Sequence, residues 1–189
     1  MDEQRPQQLL DAIMRYLVDH GLADLSLRPL AKAVGSSPRG LLYHFGSKEK
    51  LVVSVLAEVR RRQRATFDQP EAPTFAAACH SIWKQISSPD SEPLFRLFFE
   101  AYGIALRHPG LYAEFLHHTI EDWLQLMAEP LIQEGHRPED ARAFATVVLA
   151  GIRGFMLDYC TSKDRQRLDH AVSLWLEKLD SMLPSKGAN

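Results

Sequence analysis

The stretch from Ala33 to Leu51, AVGSSPRGLLYHFGSKEKL, gathers serines, an arginine, a Tyr-His pair and two lysines around three glycines. This combination suits the recognition of a polyanion. Ser36 and Ser37, just before Pro38, can open a helix whose free N–H groups and dipole receive a phosphate. Arg39 can donate two bonds to guanine O6 and N7, and Gly40 lets the backbone approach closely. Tyr43 and His44 sit one turn on and can reach phosphates. Lys48 starts the next helix and can clamp a phosphate by charge. Other chemistries find less support. No Ser-His-Asp set, Cys-His pair or phosphate loop is evident, so no catalytic residue and no cofactor is expected. His117 with Glu121, and His118 with Asp122, are four apart, as metal ligands on a helix can be. Ordinary helix-surface pairing accounts for the same spacing, and no metal is expected. Cys79 and Cys160 read as small buried thiols of a reducing, cytoplasmic protein.

Those side chains need short helices to hold them. Leu9, Leu10, Ile13, Met14, Leu17 and Val18 recur at three and four, which predicts an amphipathic helix over 7–20 between Pro6 and Gly21. Ser26 is a fitting N-cap for a second helix carrying Pro29 in its first turn and ending at Gly35. Ser36 or Ser37 caps a third, with Leu41, Leu42 and Phe45 as its apolar contacts. Ser47 caps a fourth, from Lys48 to about Ala65. Asp68 to Pro73 has the composition of a linker. Further helices are expected at about 74–87, 92–107, 110–134, 138–161 and 165–182, with Pro130 kinking or splitting the third of these. Pro89, Pro109, Gly135, Pro138 and Pro184 are the stops.

The 189 residues carry a net charge of −2, unevenly placed. Residues 1–64 hold 11 basic and 7 acidic side chains, for +4; the remainder holds 11 and 17, for −6. A mildly basic head on an acidic body fits a head that meets a polyanion. The start, MDEQRPQQLL, is too polar for a signal peptide, and no apolar run suggests a membrane partner.

Helix, tight glycine turn, helix is the geometry of a helix-turn-helix, whose second helix enters the major groove. The segment LSLRPLAKAVGSSPRGLLYHFGSKEKLV resembles the DNA-binding head of the TetR family of transcriptional regulators. The likeness lies in Leu30-Ala31, Gly35, Leu41 to Phe45, and Ser47-Lys48 with Leu51, and it covers about residues 7–56. It implies DNA contacts by Arg28, Ser37, Pro38, Arg39, Gly40, Tyr43, His44 and Lys48, to which the reading of the helix start adds Ser36. Leu42 departs from the family, which often has a second aromatic there. Read without the likeness, Tyr43 can simply pack, His44 can favour a helix C-terminus, and Arg28 can be a solvated charge. Arg60, Arg61, Arg62 and Arg64 read as a solvated face of the fourth helix, since Arg61 lies about 20 Å beyond Lys48.

The segment ARAFATVVLAGIRGFMLDYC is apolar nearly all round, broken by Arg142, Thr146, Arg153 and Asp158. The last helix repeats Leu168, Val172, Trp175, Leu179 and Met182, widened by Ala171, Leu174 and Leu183. Both faces can bury against their own chain; the resemblance implies instead that helices 138–161 and 165–182 form a homodimer across a two-fold axis. The middle helices are rich in aromatics that suit either a core or an apolar ligand pocket. Trp83, Phe99, Tyr102, Phe115, Trp123 and Phe155 are the candidates to line a site for a small apolar or planar effector.

The expected fold is all-α: a three-helix helix-turn-helix head over 1–48, a connecting helix over 49–68, and a helical effector-binding and dimerisation body over 69–189. The expected function is a ligand-responsive homodimeric repressor bound to a pseudo-palindromic operator in double-stranded DNA. An activator of the same fold is the alternative. A sequence-independent architectural DNA protein would want a far more basic chain.

Overall fold

The computed structural model describes residues 4–23, 25–65 and 75–182. Among them the chain forms nine α-helices and no strand: α1 Gln4–His20, α2 Leu27–Ala33, α3 Pro38–Phe45, α4 Lys48–Ala65, α5 Phe75–Ile86, α6 Glu92–Arg107, α7 Ala113–Gln133, α8 Pro138–Ser162 and α9 Arg165–Met182. The proposed linker Asp68–Pro73, the stop at Pro184 and the apolar Leu183 lie outside the described residues. Three local expectations change. Helix α1 begins at Gln4, so Pro6 falls inside its first turn. Ser26 occupies the N-cap of α2 in extended backbone but makes no side-chain capping bond. Helix α7 starts at Ala113, three residues later than expected, and continues through Pro130 without being split.

The chain divides into two compact units, residues 1–65 with 93–116, and residues 66–92 with 117–189. In the first, α1 packs on α2 and α4, and α3 packs on α2 and α4. Its core is Ile13, Met14 and Leu17 of α1, Leu30 and Ala31 of α2, Leu41 of α3, and Leu51, Val55, Leu56 and Val59 of α4. Leu17, Leu30, Leu41, Leu51 and Leu56 are wholly buried, each stabilising the unit by about 1.5–3 kcal/mol. Leu97, Phe98, Ala101 and Ala105 of α6, with Tyr112 and Phe115, belong to the same core. The unit thus takes in residues that chain order alone assigns to the body: a helix-turn-helix this small gains apolar cover from α6. Burial pushes the Tyr112 phenol up, and Glu49 adds to the shift.

The arginines of α4 are organised rather than merely solvated. Arg61 donates to both Glu58 oxygens at 2.7 Å. Arg62 donates to Glu58 at 2.6 Å and to Asp11 of α1 at 2.5 Å. Glu58 is buried, and its carboxyl is held below the usual range chiefly by the Arg61 hydrogen bonds, with Arg62 assisting. A depressed carboxyl pKa contributes stability that is complete above the unfolded value of about 4.3 and lost as pH falls through the folded one. Glu58→Gln should therefore destabilise the protein by about 1.5–3 kcal/mol at neutral pH and flatten the acid limb of its stability profile. Urea unfolding from pH 7 to pH 3 measures both effects.

In the second unit, α5 and α8 each pack against α9. The core includes Trp83, Ile86, Phe144, Ala145, Val148, Met156, Tyr159, Leu168, Val172, Leu176 and Leu179. Trp83 Nε1 donates to Asp169 Oδ1 of α9 at 2.7 Å. The apolar repeat of α9 therefore packs within its own chain at Leu168, Val172 and Leu179, and among the described side chains of α9 Leu174 is a large apolar one left exposed. Trp175 lies over Gly151, where a Cβ would come within 2.3 Å of its Cζ2. Cys79 is buried and Cys160 half-buried, and neither is in a disulfide.

Among the described residues α8 is the one helix long and apolar enough to cross a membrane. Its composition has another use here. Ala141, Phe144, Ala145, Val148, Met156 and Tyr159 enter the core. Its charges are engaged by neighbouring helices: Arg142 with Glu121 of α7, Arg153 with the Thr119 carbonyl, and Asp158 with Arg167 of α9.

Candidate nucleic-acid interface

Helix α2 closes in a glycine C-cap. Gly35 has φ +66; its N–H bonds the Lys32 carbonyl and the Ser36 N–H bonds that of Ala31 at 2.8 Å. This paired arrangement satisfies the last carbonyls of α2 and turns the chain sharply. Nothing crowds a Cβ at Gly35, so the left-handed backbone, not space, calls for glycine. Two residues later Ser37, in extended backbone, caps α3: its Oγ accepts from Gly40 N–H at 3.0 Å. Pro38 follows at the first helical position, where no N–H is needed.

Gly40 has a spatial reason as well. A Cβ there would lie 2.8 Å from Ser36 Oγ and 3.3 Å from Ser37 Oγ, so both hydroxyls fold back over the first turn. Leu41 is fully buried beneath α3 and Phe45 packs against the same core. These two pin the helix by one side. The opposite side is bare: Ser37, Pro38, Arg39, Tyr43 and His44 are exposed. Tyr43 is 85% exposed, which rules out a packing role, and its ring meets His44 edge to face at 5.5 Å. Among the described residues Arg39 has no ion-pair partner, so its guanidinium is available to a ligand.

Gly46, with φ +84, ends α3, and Ser47 restarts the chain as the cap of α4, accepting from Lys50 N–H at 3.1 Å. Lys48 stands exposed at the head of α4. Lys50, also exposed, is a cation of the same helix turn that the sequence reading passed over; its position three residues after a capping serine was the signal. Glu49 is held ionised by hydrogen bonds from its own backbone and from Ser47. Arg28, in the first turn of α2, is exposed, and Ser36 is half-buried.

Five of the six candidate effector residues fall into two groups. In the first unit Phe99 meets Phe98 at 5.4 Å, Phe98 meets Tyr102 at 5.7 Å, and Tyr102 meets Phe115 at 6.4 Å. In the second unit Trp83 meets Phe155 at 6.0 Å and Phe155 meets Trp175 at 5.4 Å. Phe98 and Trp175, neither of them among the six, are the linking rings. Trp83, Phe115 and Trp123 are buried, whereas Phe99, Tyr102 and Phe155 keep partial exposure. Of the paired His and acidic residues on α7, His118 Nδ1 lies 3.0 Å from Asp122, and Glu121 takes two bonds from Arg142 at 2.7 and 2.8 Å. The arginine holds the Glu121 carboxyl below its usual range.

The N-terminal domain of bacterial regulatory proteins of the tetR family matches residues 9–55, and the C-terminal domain of LmrA/YxaF-like transcriptional regulators matches residues 72–173. The HTH-type transcriptional regulator BetI of Rhizobium meliloti is 24% identical over 183 residues, spanning 95% of this chain and 77% of that one. The HTH-type transcriptional regulator LmrA of Bacillus subtilis is 26% identical over 179 residues, spanning 88% and 92%. Among solved structures, a transcriptional regulator from Rhodococcus superimposes with a TM-score of 0.78 at 21% identity, covering 93% of this chain and 96% of that one. The multidrug binding protein EbrR complexed with ethidium does so with 0.72 at 22% identity, covering 96% and 99%. At such identities the structural matches bear on the fold.

Proposed function

The chain belongs to the TetR family of bacterial regulatory proteins, DNA-binding transcriptional regulators rather than enzymes, and from that premise we propose a homodimeric repressor released from a pseudo-palindromic operator by a small molecule. The observation that carries the reading is the α3 surface: a capped helix, pinned by buried Leu41, with Arg39 and Tyr43 bare. In this reading residues 1–48 form the DNA-binding domain, 49–68 the connecting helix, and 69–189 the effector-binding and dimerisation domain. Arg39 reads a guanine from the major groove, and Ser36, Ser37, Pro38 and Gly40 bring the α3 start close to the duplex. Arg28, Tyr43, His44 and Lys48 hold phosphates.

One such helix reads few bases, so two copies on two half-sites supply specificity. The support for a two-fold partner is on α8, where Ala143, Val147, Ala150, Gly154, Leu157 and Thr161 are all exposed. They make an apolar, small-residue stripe along α8, and Leu174 of α9 is exposed as well. The aromatic groups support an apolar, planar effector, and EbrR, a protein of the same fold solved with ethidium, agrees with that choice. An effector that prefers one dimer geometry lowers operator affinity by linkage.

Gel shift and footprinting on the DNA upstream of the chain's own gene test the reading; failure to protect any palindrome at moderate salt would count against it. Lys48→Ala should weaken operator and random duplex alike. It should also make the slope of log K against log salt shallower by about 1 per half-site. Titrations between 50 and 200 mM salt check this.

A further inference from the structure

Helix α6 meets α1 where the chain turns toward the reader. Past the end of α1 at His20, Gly21 takes φ +77, and the Leu22 N–H donates to Glu100 Oε2 of α6 at 2.7 Å. One turn earlier on α6, Arg96 donates to the Val18 carbonyl at 3.0 Å. Two side chains four residues apart thus satisfy both kinds of group that a helix end leaves open, a last-turn carbonyl and the N–H just beyond it. The positive guanidinium also has the sign that the helix dipole favours there. The fit is close: a Cβ on Gly21 would lie 2.8 Å from Glu100 Oε2.

In the connection that follows, the Leu25 N–H bonds the Leu22 carbonyl at 3.3 Å. Leu22 and Leu25 are buried, but Ser26 makes no side-chain bond to fix the start of α2. The grip of α6 thus falls at the point where the chain leaves α1 for α2 and α3.

We infer that Glu100, with Arg96, is a positioning residue of the DNA reader: it sets the angle of the α2–α3 pair from a helix outside the helix-turn-helix. The inference rests on the operator-binding reading above. A reader at the wrong angle still touches phosphates but no longer matches base edges, so sequence-specific affinity falls while random affinity holds.

The test is the full-length Glu100→Ala variant, measured by amide exchange without DNA and by titration with operator and random duplexes. Leu22 exchange should quicken about 10-fold while amides of α3 and α4 keep wild-type rates. Operator affinity should fall about 10-fold, the size of a typical coupling, with random affinity within about twofold. Glu100→Gln, whose amide oxygen can still accept from Leu22, should restore most of the loss. Arg96→Ala, at an exposed position, should reproduce a smaller loss and serves if Glu100→Ala does not fold. Unchanged Leu22 exchange, or equal losses on both duplexes, would overturn the inference. A wild-type chain without operator preference would strike the operator reading alone, and the exchange pattern would then decide the role of Glu100.

Discussion

Arg39→Ala should lower operator affinity by about 2–6 kcal/mol, because each bidentate arginine–guanine pair discriminates by about 1–3 kcal/mol and a two-fold dimer has two. The position makes the effect clean. Arg39 is exposed on the first turn of α3, and the helix is held from the other side by Leu41 and Phe45. Removing the guanidinium should leave the thermal midpoint within a degree or two. On random duplex the loss should be far smaller, since only charge contributes there. Titration of both duplexes at one salt concentration separates the two. Equal losses on both would mean that Arg39 holds phosphate rather than base.

The second large effect contrasts two glycines three residues apart on α8. At Gly154 a Cβ would meet nothing within 4 Å, whereas at Gly151 it would run into Trp175. Gly154→Glu should leave the protomer folded, even gaining helix propensity, yet place a charge in the proposed seam. Burying that unpaired carboxylate would cost several kcal/mol at each of two sites, enough to give monomers at micromolar concentration. Gly151→Ala should do the reverse. It forces the Trp175 ring aside at a cost of about 1–3 kcal/mol and lowers the melting temperature with the dimer intact. Sedimentation and thermal melting of both variants test the pair. A stable Gly154→Glu dimer would remove α8 from the interface.

The helical layout was legible in the sequence because its punctuation is local. Gly35, Ser37 with Pro38, Gly46 and Ser47 each act within one turn, and each appears in the structure in the role its chemistry suggests. In the sequence Tyr43 stays open between packing and contact, and Leu42 reads as an apolar contact; both are exposed, because Leu41 and Phe45 claim the inner side of α3. What pairs residues distant in the chain was not legible. Helix periodicity marks Leu97, Phe98 and Ala101 as inward-facing but cannot say that they share a core with the helix-turn-helix. The apolar repeat of α9 carried the same ambiguity: Leu168, Val172 and Leu179 look alike whether they meet their own chain or a second copy. Ser26 takes the N-cap position of α2 in extended backbone, yet its side chain makes no capping bond. The arginines of α4 looked solvated because Asp11, 51 residues away from Arg62, gives no sign of proximity in the sequence.

The exposed positions on α8 are separated by four, three, four, three and four residues. Positions 143, 150 and 157, and likewise 147, 154 and 161, recur every seven residues, the heptad repeat at which paired helices coil left-handedly at about 20°. Two copies meeting along such a line can engage at discrete rungs, and a slip of seven residues displaces one helix by about 10 Å. DNA half-sites face the same side only at intervals of about 34 Å. A slipped dimer would therefore be stable and out of phase with its operator. In the proposed dimer the small residues at 150 and 154 would act as a ruler, keeping the pair on the rung that fits the helical repeat of DNA.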